Sequence, residues 1–246
     1  MVKTKLLVFG RHGETPKKGD GNERKDSITD EGVQKLVRDY AFLAKQVDAA
    51  GISQERIWLH SSQTDRTYLT NKAIAVSAFR QGNPQTLAEL EAITLATRAY
   101  RDPHLNLRVP HGNYRIYRAT DDSGIALDYW LANPDATRHE DEEIIPGRVL
   151  FPQIHATTRG HVRGLTVSNQ VNMAFINTHG TIPEIAVIYL LNSRGQAPIE
   201  TTAQIGGQFV RGESFQVRLE QSRGGITAAT LQFRGQDYSI DIGNLK

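Results

Sequence analysis

Arginine and histidine side chains follow three separate apolar stretches of this chain. Arg11 and His12 come shortly after KTKLLVF, Arg66 comes shortly after RIWLH, and His179 ends the stretch VNMAFINTH. Guanidinium groups hold phosphate oxygens through paired, charge-assisted hydrogen bonds. A neutral imidazole placed in line with a phosphorus atom can attack it and form a phosphohistidine. Two histidines and two arginines, if they lie together, would therefore suit the transfer of a phosphoryl group.

The elements that carry these residues alternate between strand and helix. The three apolar stretches are typical of strands that are buried on both faces of a parallel sheet. A helix is predicted from Thr29 to Ala50, where apolar residues recur at helical spacing and Gly51 ends the pattern. Two further helices, TDRTYLTNKAIAVSAF and IPEIAVIYLL, follow the second and third strands. The alternation predicts an α/β fold, a three-layer αβα sandwich with a mostly parallel sheet.

The polar residues should meet at one edge of that sheet. Ligands of open parallel sheets bind beyond the carboxyl ends of the strands, and each polar cluster stands at such an end. Ser61 and Ser62, in the second cluster, either contact the substrate or only cap the helix that follows. A leaving oxygen also needs a proton from a carboxylic acid, and by chain order the nearest candidates are Glu89 and Glu91.

The C-terminal part of the chain has a different pattern. ESFQVRLEQ, ITAATLQFR and QDYSIDIG alternate apolar and polar residues, which predicts a small antiparallel extension of the sheet. We assign no chemistry to this extension. Residues 92–169 contain helical pieces but no strong strand, and we interpret them as an insertion that covers the C-terminal strand ends and the active site. The whole chain, 1–246, is predicted to form a single domain.

One segment of this insertion is rich in arginine and tyrosine. Residues 98–119 contain five arginines, three tyrosines, one acidic residue and no lysine. Such a composition suits recognition of a phosphorylated, even aromatic, substrate, which is the interpretation we favour. The alternatives are a basic patch that contacts nucleic acid or a partner, and an exposed loop whose arginines pair with the acidic run HEDEE at 139–143.

Composition and charge exclude several classes of protein. The formal net charge is +2, so no overall field favours nucleic acid as a partner, and there are no cysteines to form disulfides or thiolate metal sites. No apolar stretch is long enough to cross a bilayer, and the N-terminus lacks the pattern of a secretory signal, so we expect no membrane association and a cytoplasmic protein. No metal and no cofactor is predicted, because none of the familiar metal-binding spacings occurs among the remaining histidines, which are His60, His104, His111, His139, His155 and His161. Composition leaves the oligomeric state open.

The motifs, taken in order, resemble those of the histidine phosphatase superfamily, also called phosphoglycerate mutase-like. The resemblance rests on RHGET, DSITDEGVQ, SSQTDRT, LAEL and THG, which occur in the family's order between residue 11 and residue 180. It implies that His12 is the phosphorylated nucleophile and that Arg11, Arg66 and His179 bind the phosphoryl group. It also implies that Glu89 is the proton donor and that catalysis needs no metal. Gly180, which follows the late histidine, is typical of the family's first branch.

The chain departs from the family pattern at several points. Lys18 stands where relatives often carry an asparagine that contacts phosphate, and the acidic segment continues into AITLATRAY instead of a glycine-tryptophan-glutamate pattern. The extended signature of phosphoglycerate mutases is absent. We therefore predict a phosphatase that hydrolyses a small phosphorylated substrate, with a phosphomutase or an inactive phospho-ligand-binding scaffold as alternatives. The predicted substrate-binding residues are Arg11, Thr15, Lys18, Ser62, Arg66, His179 and Gly180.

Overall fold

The structure is a computed structural model that describes residues 3–16, 26–105, 123–139, 142–195, 198–223 and 225–243. Its strands are β1 (Lys3–Arg11), β2 (Ile57–Ser61), β3 (Arg98–Arg101), β4 (Arg138–His139), β5 (Glu142–Glu143), β6 (Met173–Thr178), β7 (Ser214–Ser222), β8 (Gly225–Phe233) and β9 (Gln236–Ser239). Its α-helices are α1 (Asp30–Asp39), α2 (Leu43–Ala50), α3 (Asp65–Ala78), α4 (Leu87–Ala92), α5 (Ser123–Ala132), α6 (Gly147–Val167) and α7 (Ile182–Asn192).

Seven strands form one mixed sheet in the order β3-β2-β6-β1-β7-β8-β9. The first four of these strands are parallel, as β2 pairs with both β3 and β6 and β6 pairs with β1. The other three are antiparallel and continue from β1. The predicted C-terminal extension is therefore confirmed, but it supplies almost half of the strands. The two short strands β4 and β5 pair only with each other.

Helices cover both faces of the sheet, which confirms the three-layer αβα sandwich. One core lies between the sheet and α1 to α4, and it includes Leu6, Val8 and Phe175. The other core lies between the sheet and α5 to α7, and it includes Leu7 and Phe9. Successive residues of β1 enter opposite cores because side chains alternate along a strand, so an unbroken apolar run is needed there.

The helix predicted over 29–50 is divided in two. Thr29 caps α1 by accepting a hydrogen bond from Gly32 N at 3.0 Å, and Gly51 ends α2 with a left-handed φ of 59°. Between them the chain turns at Tyr40, whose buried hydroxyl donates to the carbonyl of Gly212 at 2.7 Å. A contact far away in the sequence thus fixes a break that helical spacing does not predict.

Two parts of residues 92–169 belong to the sandwich itself. Residues 98–101 form the edge strand β3, in a region where no strong strand was predicted. The 21-residue helix α6 packs on α7 and β1, and the buried Lys5 donates to the carbonyl of Leu165 at 2.7 Å near the end of that helix. The central part of the arginine- and tyrosine-rich segment, residues 106–122, lies outside the described residues. Among the helices that are described, none combines the length and the apolar character needed to cross a bilayer.

Candidate active site

The predicted cluster forms at the carboxyl ends of three neighbouring parallel strands. The registers align Arg11 of β1 with Thr178 of β6, and Ser61 of β2 with Asn177 of β6. Pairing continues one residue further, since His12 N donates to the carbonyl of Thr178 at 2.9 Å. The sheet therefore brings the end of each strand, and the polar residues that follow it, to the same edge.

His12 is buried, with 6% of its surface exposed, and its tautomer is fixed by one hydrogen bond. Its Nδ1 lies 2.8 Å from the carbonyl oxygen of Gly13. A carbonyl can only accept, so Nδ1 carries the proton and Nε2 keeps its lone pair. The pKa of His12 is lowered to about 3, mainly by burial; the hydrogen bond to Gly13 raises it, and the charges of Arg66 and Arg11 lower it. His12 is thus a neutral imidazole with a nucleophilic nitrogen at neutral pH.

His179 lies beside His12 and is held by two side chains of the second motif. The two rings meet edge to face with centroids 5.4 Å apart. Arg66 Nη2 lies 3.3 Å from Nδ1 of His179, and Ser62 Oγ lies 3.0 Å from Nε2. Since a guanidinium can only donate, Nδ1 is the acceptor and Nε2 donates to the serine. Burial, followed by the charges of Arg66 and Arg11, lowers the pKa of His179 to about 4.

Ser62 holds the late histidine and does not cap the helix. The cap of α3 is Thr64, and Ser62 Oγ lies 3.0 Å from the Oγ1 of Thr67 in the first turn of that helix. Because Ser62 thus links α3 to His179, its side chain positions the imidazole. The sequence left open whether this serine contacts the substrate or only caps the helix. In the structure its hydroxyl contacts His179.

Arg11 is held by a loop near the C-terminus. Its Nη1 donates to the carbonyl of Phe209 at 2.6 Å, and Phe209 N donates to Oε1 of Glu184 at 2.9 Å. Glu184 is buried in the first turn of α7, where burial raises the pKa of its carboxyl group. The Nε of Arg11 is also buried and makes no hydrogen bond within the described part of the chain, so it can donate to a ligand.

The same loop holds the backbone of Arg11 and His12. Gly212 N lies 3.0 Å from the carbonyl oxygen of His12, and Arg11 N donates to the carbonyl of Glu213 at 2.9 Å. The segment FVRGE at 209–213 therefore contacts the site, although no sequence motif indicated it. Its only signal was a glycine next to a cationic residue just before a strand, which is also the signal of an ordinary turn.

Comparisons with known proteins identify the fold. No protein-family model and no curated protein sequence matches the chain significantly. Among solved structures, a phosphoglycerate mutase from Bacillus anthracis aligns over 99% of this chain and 96% of its own, with a TM-score of 0.52 and 12% identity. A mycobacterial glucosyl-3-phosphoglycerate phosphatase aligns over 95% of this chain and 100% of its own, with a TM-score of 0.50 and 17% identity. The fold is that of the phosphoglycerate mutase-like histidine phosphatases.

Two glycines of the RHG region are required by packing in this histidine phosphatase fold. A Cβ on Gly10 would lie 2.7 Å from the carbonyl oxygen of Glu213, and one on Gly13 would lie 2.9 Å from Cδ1 of Leu36. Neither contact leaves room for a side chain. These glycines therefore allow the 209–213 loop and α1 to pack closely beside His12.

The residue after THG has an unusual backbone conformation. Thr181 has φ of 78° and ψ of −38°, a region that residues with a Cβ rarely adopt, and it is buried. Such a conformation costs about 1 to 3 kcal/mol and persists only where the surroundings enforce it. In this histidine phosphatase fold it turns the chain sharply from His179 and Gly180 into α7.

Other predicted site residues lie on α4 and in the loops that follow the two histidines. Glu89 lies on the exposed side of α4, where its Oε2 accepts from Gln85 N at 2.7 Å, and the backbone carbonyl of Glu91 accepts from Lys72 at 2.9 Å. Thr15 and Gly180 are half-buried in the loops that follow His12 and His179, and Lys18 lies outside the described residues.

Proposed function

We propose that this protein is a phosphatase that hydrolyses a small phosphomonoester through a phosphohistidine on His12. The observation that carries the proposal is the state of His12. It is a neutral imidazole whose Nδ1–H donates to the carbonyl of Gly13, so the lone pair of Nε2 is available to attack phosphorus. The guanidinium groups of Arg11 and Arg66 offer the positive charge that phosphate oxygens require. The first step forms a bond from Nε2 to phosphorus and breaks the bond from phosphorus to the ester oxygen. Water then attacks phosphorus, which restores His12 and releases inorganic phosphate.

Substrate binding is expected to change the contacts of His179. In the free enzyme its Nδ1 accepts from Arg66, so neither ring nitrogen has a proton to offer a phosphate oxygen. A dianion would draw Arg66 onto its own oxygens and would raise the pKa of His179, so that Nδ1 gains a proton and donates it. The phosphoryl group would then be held by two guanidiniums and one imidazolium.

The proton donor to the leaving oxygen is assigned through the family resemblance alone. We propose Glu89, with Glu91 as the alternative. A donor matters most for poor leaving groups, because good ones depart without a proton. Loss of the true donor should therefore slow an alkyl phosphate about 100-fold more than a nitrophenyl phosphate, and Glu89→Gln and Glu91→Gln can be compared on that pair. Equal losses of activity on both esters would show that the substituted residue is not the proton donor.

The phosphomutase alternative uses the same phosphoenzyme and differs only in the acceptor. Water is the acceptor in a phosphatase, and a second hydroxyl of the substrate is the acceptor in a mutase. Measuring inorganic phosphate and isomerised ester in the same reaction separates the two activities. The motif departures support hydrolysis as the main reaction.

The proposal is tested by turnover of a nitrophenyl phosphate in the presence of a chelator. Wild type should release phosphate, and His12→Ala should lose activity by about 10⁴-fold or more, because the covalent step is lost. His155→Ala is the matched control, since burial also lowers the pKa of His155 to about 4 but its ring stacks on Tyr189 and not in the cluster. A wild type that is inactive across a wide pH range and a wide panel of esters would favour the scaffold alternative.

A further inference from the structure

A second group of titratable side chains lies away from the candidate active site. His60 from β2, Asp102 from the turn after β3, and His161 from α6 each offer one ligand atom, and these atoms lie within 4.8 Å of one another. His60 points to the same face of the sheet as Trp58, two residues earlier in the strand, so the group lies between the sheet and α6. Its members are far apart in the sequence, so spacing motifs could not reveal it.

The three side chains are held by regular structure. Asp102 N donates to the carbonyl of Ser61 at 2.7 Å, which fixes the residue directly after the edge strand. The rings of His60 and His161 meet edge to face with centroids 4.8 Å apart. The side chains of His161 and Asp102 are only 12% and 11% exposed. A site built from a strand, the residue that directly follows a second strand, and a long helix is preorganised, because its ligands need little rearrangement.

Hydrogen bonding does not account for the two imidazoles. Nδ1 of His60 and Nε2 of His161 are both buried, and neither makes a hydrogen bond within the described residues. The separation of 3.5 Å between Nε2 of His161 and Oδ2 of Asp102 is longer than a normal hydrogen bond. It is close to the edge of a tetrahedron around an ion with bonds of about 2.1 Å, which is roughly 3.4 Å.

The chemistry of the group selects a class of ion. Two imidazoles and one carboxylate are ligands for zinc and other first-row divalent transition metals, whereas magnesium and calcium prefer oxygen alone. A cavity of about 310 Å³ adjoins the group and leaves room for a water molecule as a fourth ligand. The cavity lining includes Trp58, His60, Asp102, Thr157, His161 and Leu165.

We propose that His60, Asp102 and His161 bind one divalent transition-metal ion, with zinc as the ion to test. The proposal does not rest on the proposed phosphatase function, whose steps use no metal. Because the ligands come from β2, the end of β3 and α6, the ion would join the edge of the sheet to its covering helix. Zinc binding should therefore raise the melting temperature of the protein, as any ligand of the folded state does.

The test is the zinc content and zinc affinity of the full chain after metal removal and reloading. Wild type should hold about one zinc ion per chain, and His60→Ala, Asp102→Ala and His161→Ala should each weaken binding by about tenfold or more. His155→Ala, on the same helix as His161, is the matched control and should bind as wild type does. The proposal is overturned if wild type holds no zinc, or if all three variants keep the wild-type affinity.

A measurement on the wild type alone covers the case in which a variant fails to fold. Cobalt should give the intense visible absorption of a four-coordinate ion with nitrogen ligands, and it should raise the melting temperature. His161→Gln, which keeps most of the side-chain volume, should abolish both effects while its metal-free circular dichroism stays that of wild type. A cobalt spectrum equal to that of the aqueous ion would contradict the site.

Discussion

Two pairs of histidines in this protein have nearly the same geometry and opposite electrostatic surroundings. The rings of His12 and His179 meet edge to face at 5.4 Å, and those of His60 and His161 do so at 4.8 Å. The first pair lies beside two guanidinium groups and the second beside one carboxylate. Imidazole can serve as a nucleophile, a hydrogen-bond donor or a metal ligand. The charge of the neighbouring side chains therefore determines whether a histidine pair binds an anion or a cation. The first pair suits a phosphate dianion, and the second suits a metal cation.

The largest effect that would sharpen this comparison comes from removing one cation. Arg66→Ala should lower kcat/KM for a phosphomonoester by about 10² to 10³-fold, because a donor to the developing charge is lost. Zinc binding should not change, since Arg66 belongs to the first pair alone. Arg38→Ala is the control, because Arg38 is exposed on α1 and pairs with Asp39. If Arg66→Ala lost zinc binding but kept its kcat/KM, the assignment of phosphate to the first pair and of metal to the second would be contradicted.

The second prediction concerns the pH dependence of anion binding. His179 has a pKa of about 4 in the free protein, and a bound dianion would raise it, so binding takes up a proton between pH 4 and the raised value. Sulfate, which stays dianionic in this range, should bind more tightly as the pH falls, by up to about tenfold per pH unit. Competitive inhibition of ester hydrolysis by sulfate measures this affinity.

The variant His179→Gln provides the control for that experiment. It keeps a hydrogen-bonding side chain but cannot take up the proton, so its sulfate affinity should be weaker and nearly independent of pH. A wild-type affinity that is flat between pH 4.5 and 6.5 would contradict the protonation of His179.

The smallest effect tests Glu184, a buried acid that supports the loop holding Arg11. Glu184 acts through Phe209 on Arg11, so we expect it to position the guanidinium without touching substrate. Glu184→Ala should raise the KM and weaken sulfate binding by about tenfold, while Glu184→Gln, which still accepts from Phe209 N, should restore most of both. If Glu184→Gln is as impaired in KM and sulfate binding as Glu184→Ala, the charge of Glu184 and not its hydrogen bond positions Arg11.

The cluster was predictable from the sequence because its residues end an apolar strand or follow one within a few residues. Strand ends can be recognised locally, and parallel pairing brings them together without further information. The loop that holds Arg11 and His12 was not predictable, since Phe209 and Gly212 reach the site only through contacts across the sheet. The edge strand β3 was missed for a different reason. All four of its residues are exposed, so its sequence, RAYR, shows no alternation of apolar and polar side chains.

The second histidine pair could not be found from the sequence either. Its members come from a strand, a turn and a helix, and none of the spacings between them is a metal-binding motif. The proton donor stays a prediction from the family resemblance, since the contacts described for Glu89 are with Gln85 and Thr86.

The most direct test of the central proposal is the identity of the phosphorylated residue. Wild-type protein mixed with a phosphate-labelled ester and quenched in base should carry label on His12, in a form that is stable in base and lost in acid. His12→Ala should carry none, and His155→Ala should carry as much as wild type. Label on serine, or turnover without label under conditions where the intermediate should accumulate, would contradict a phosphohistidine on His12.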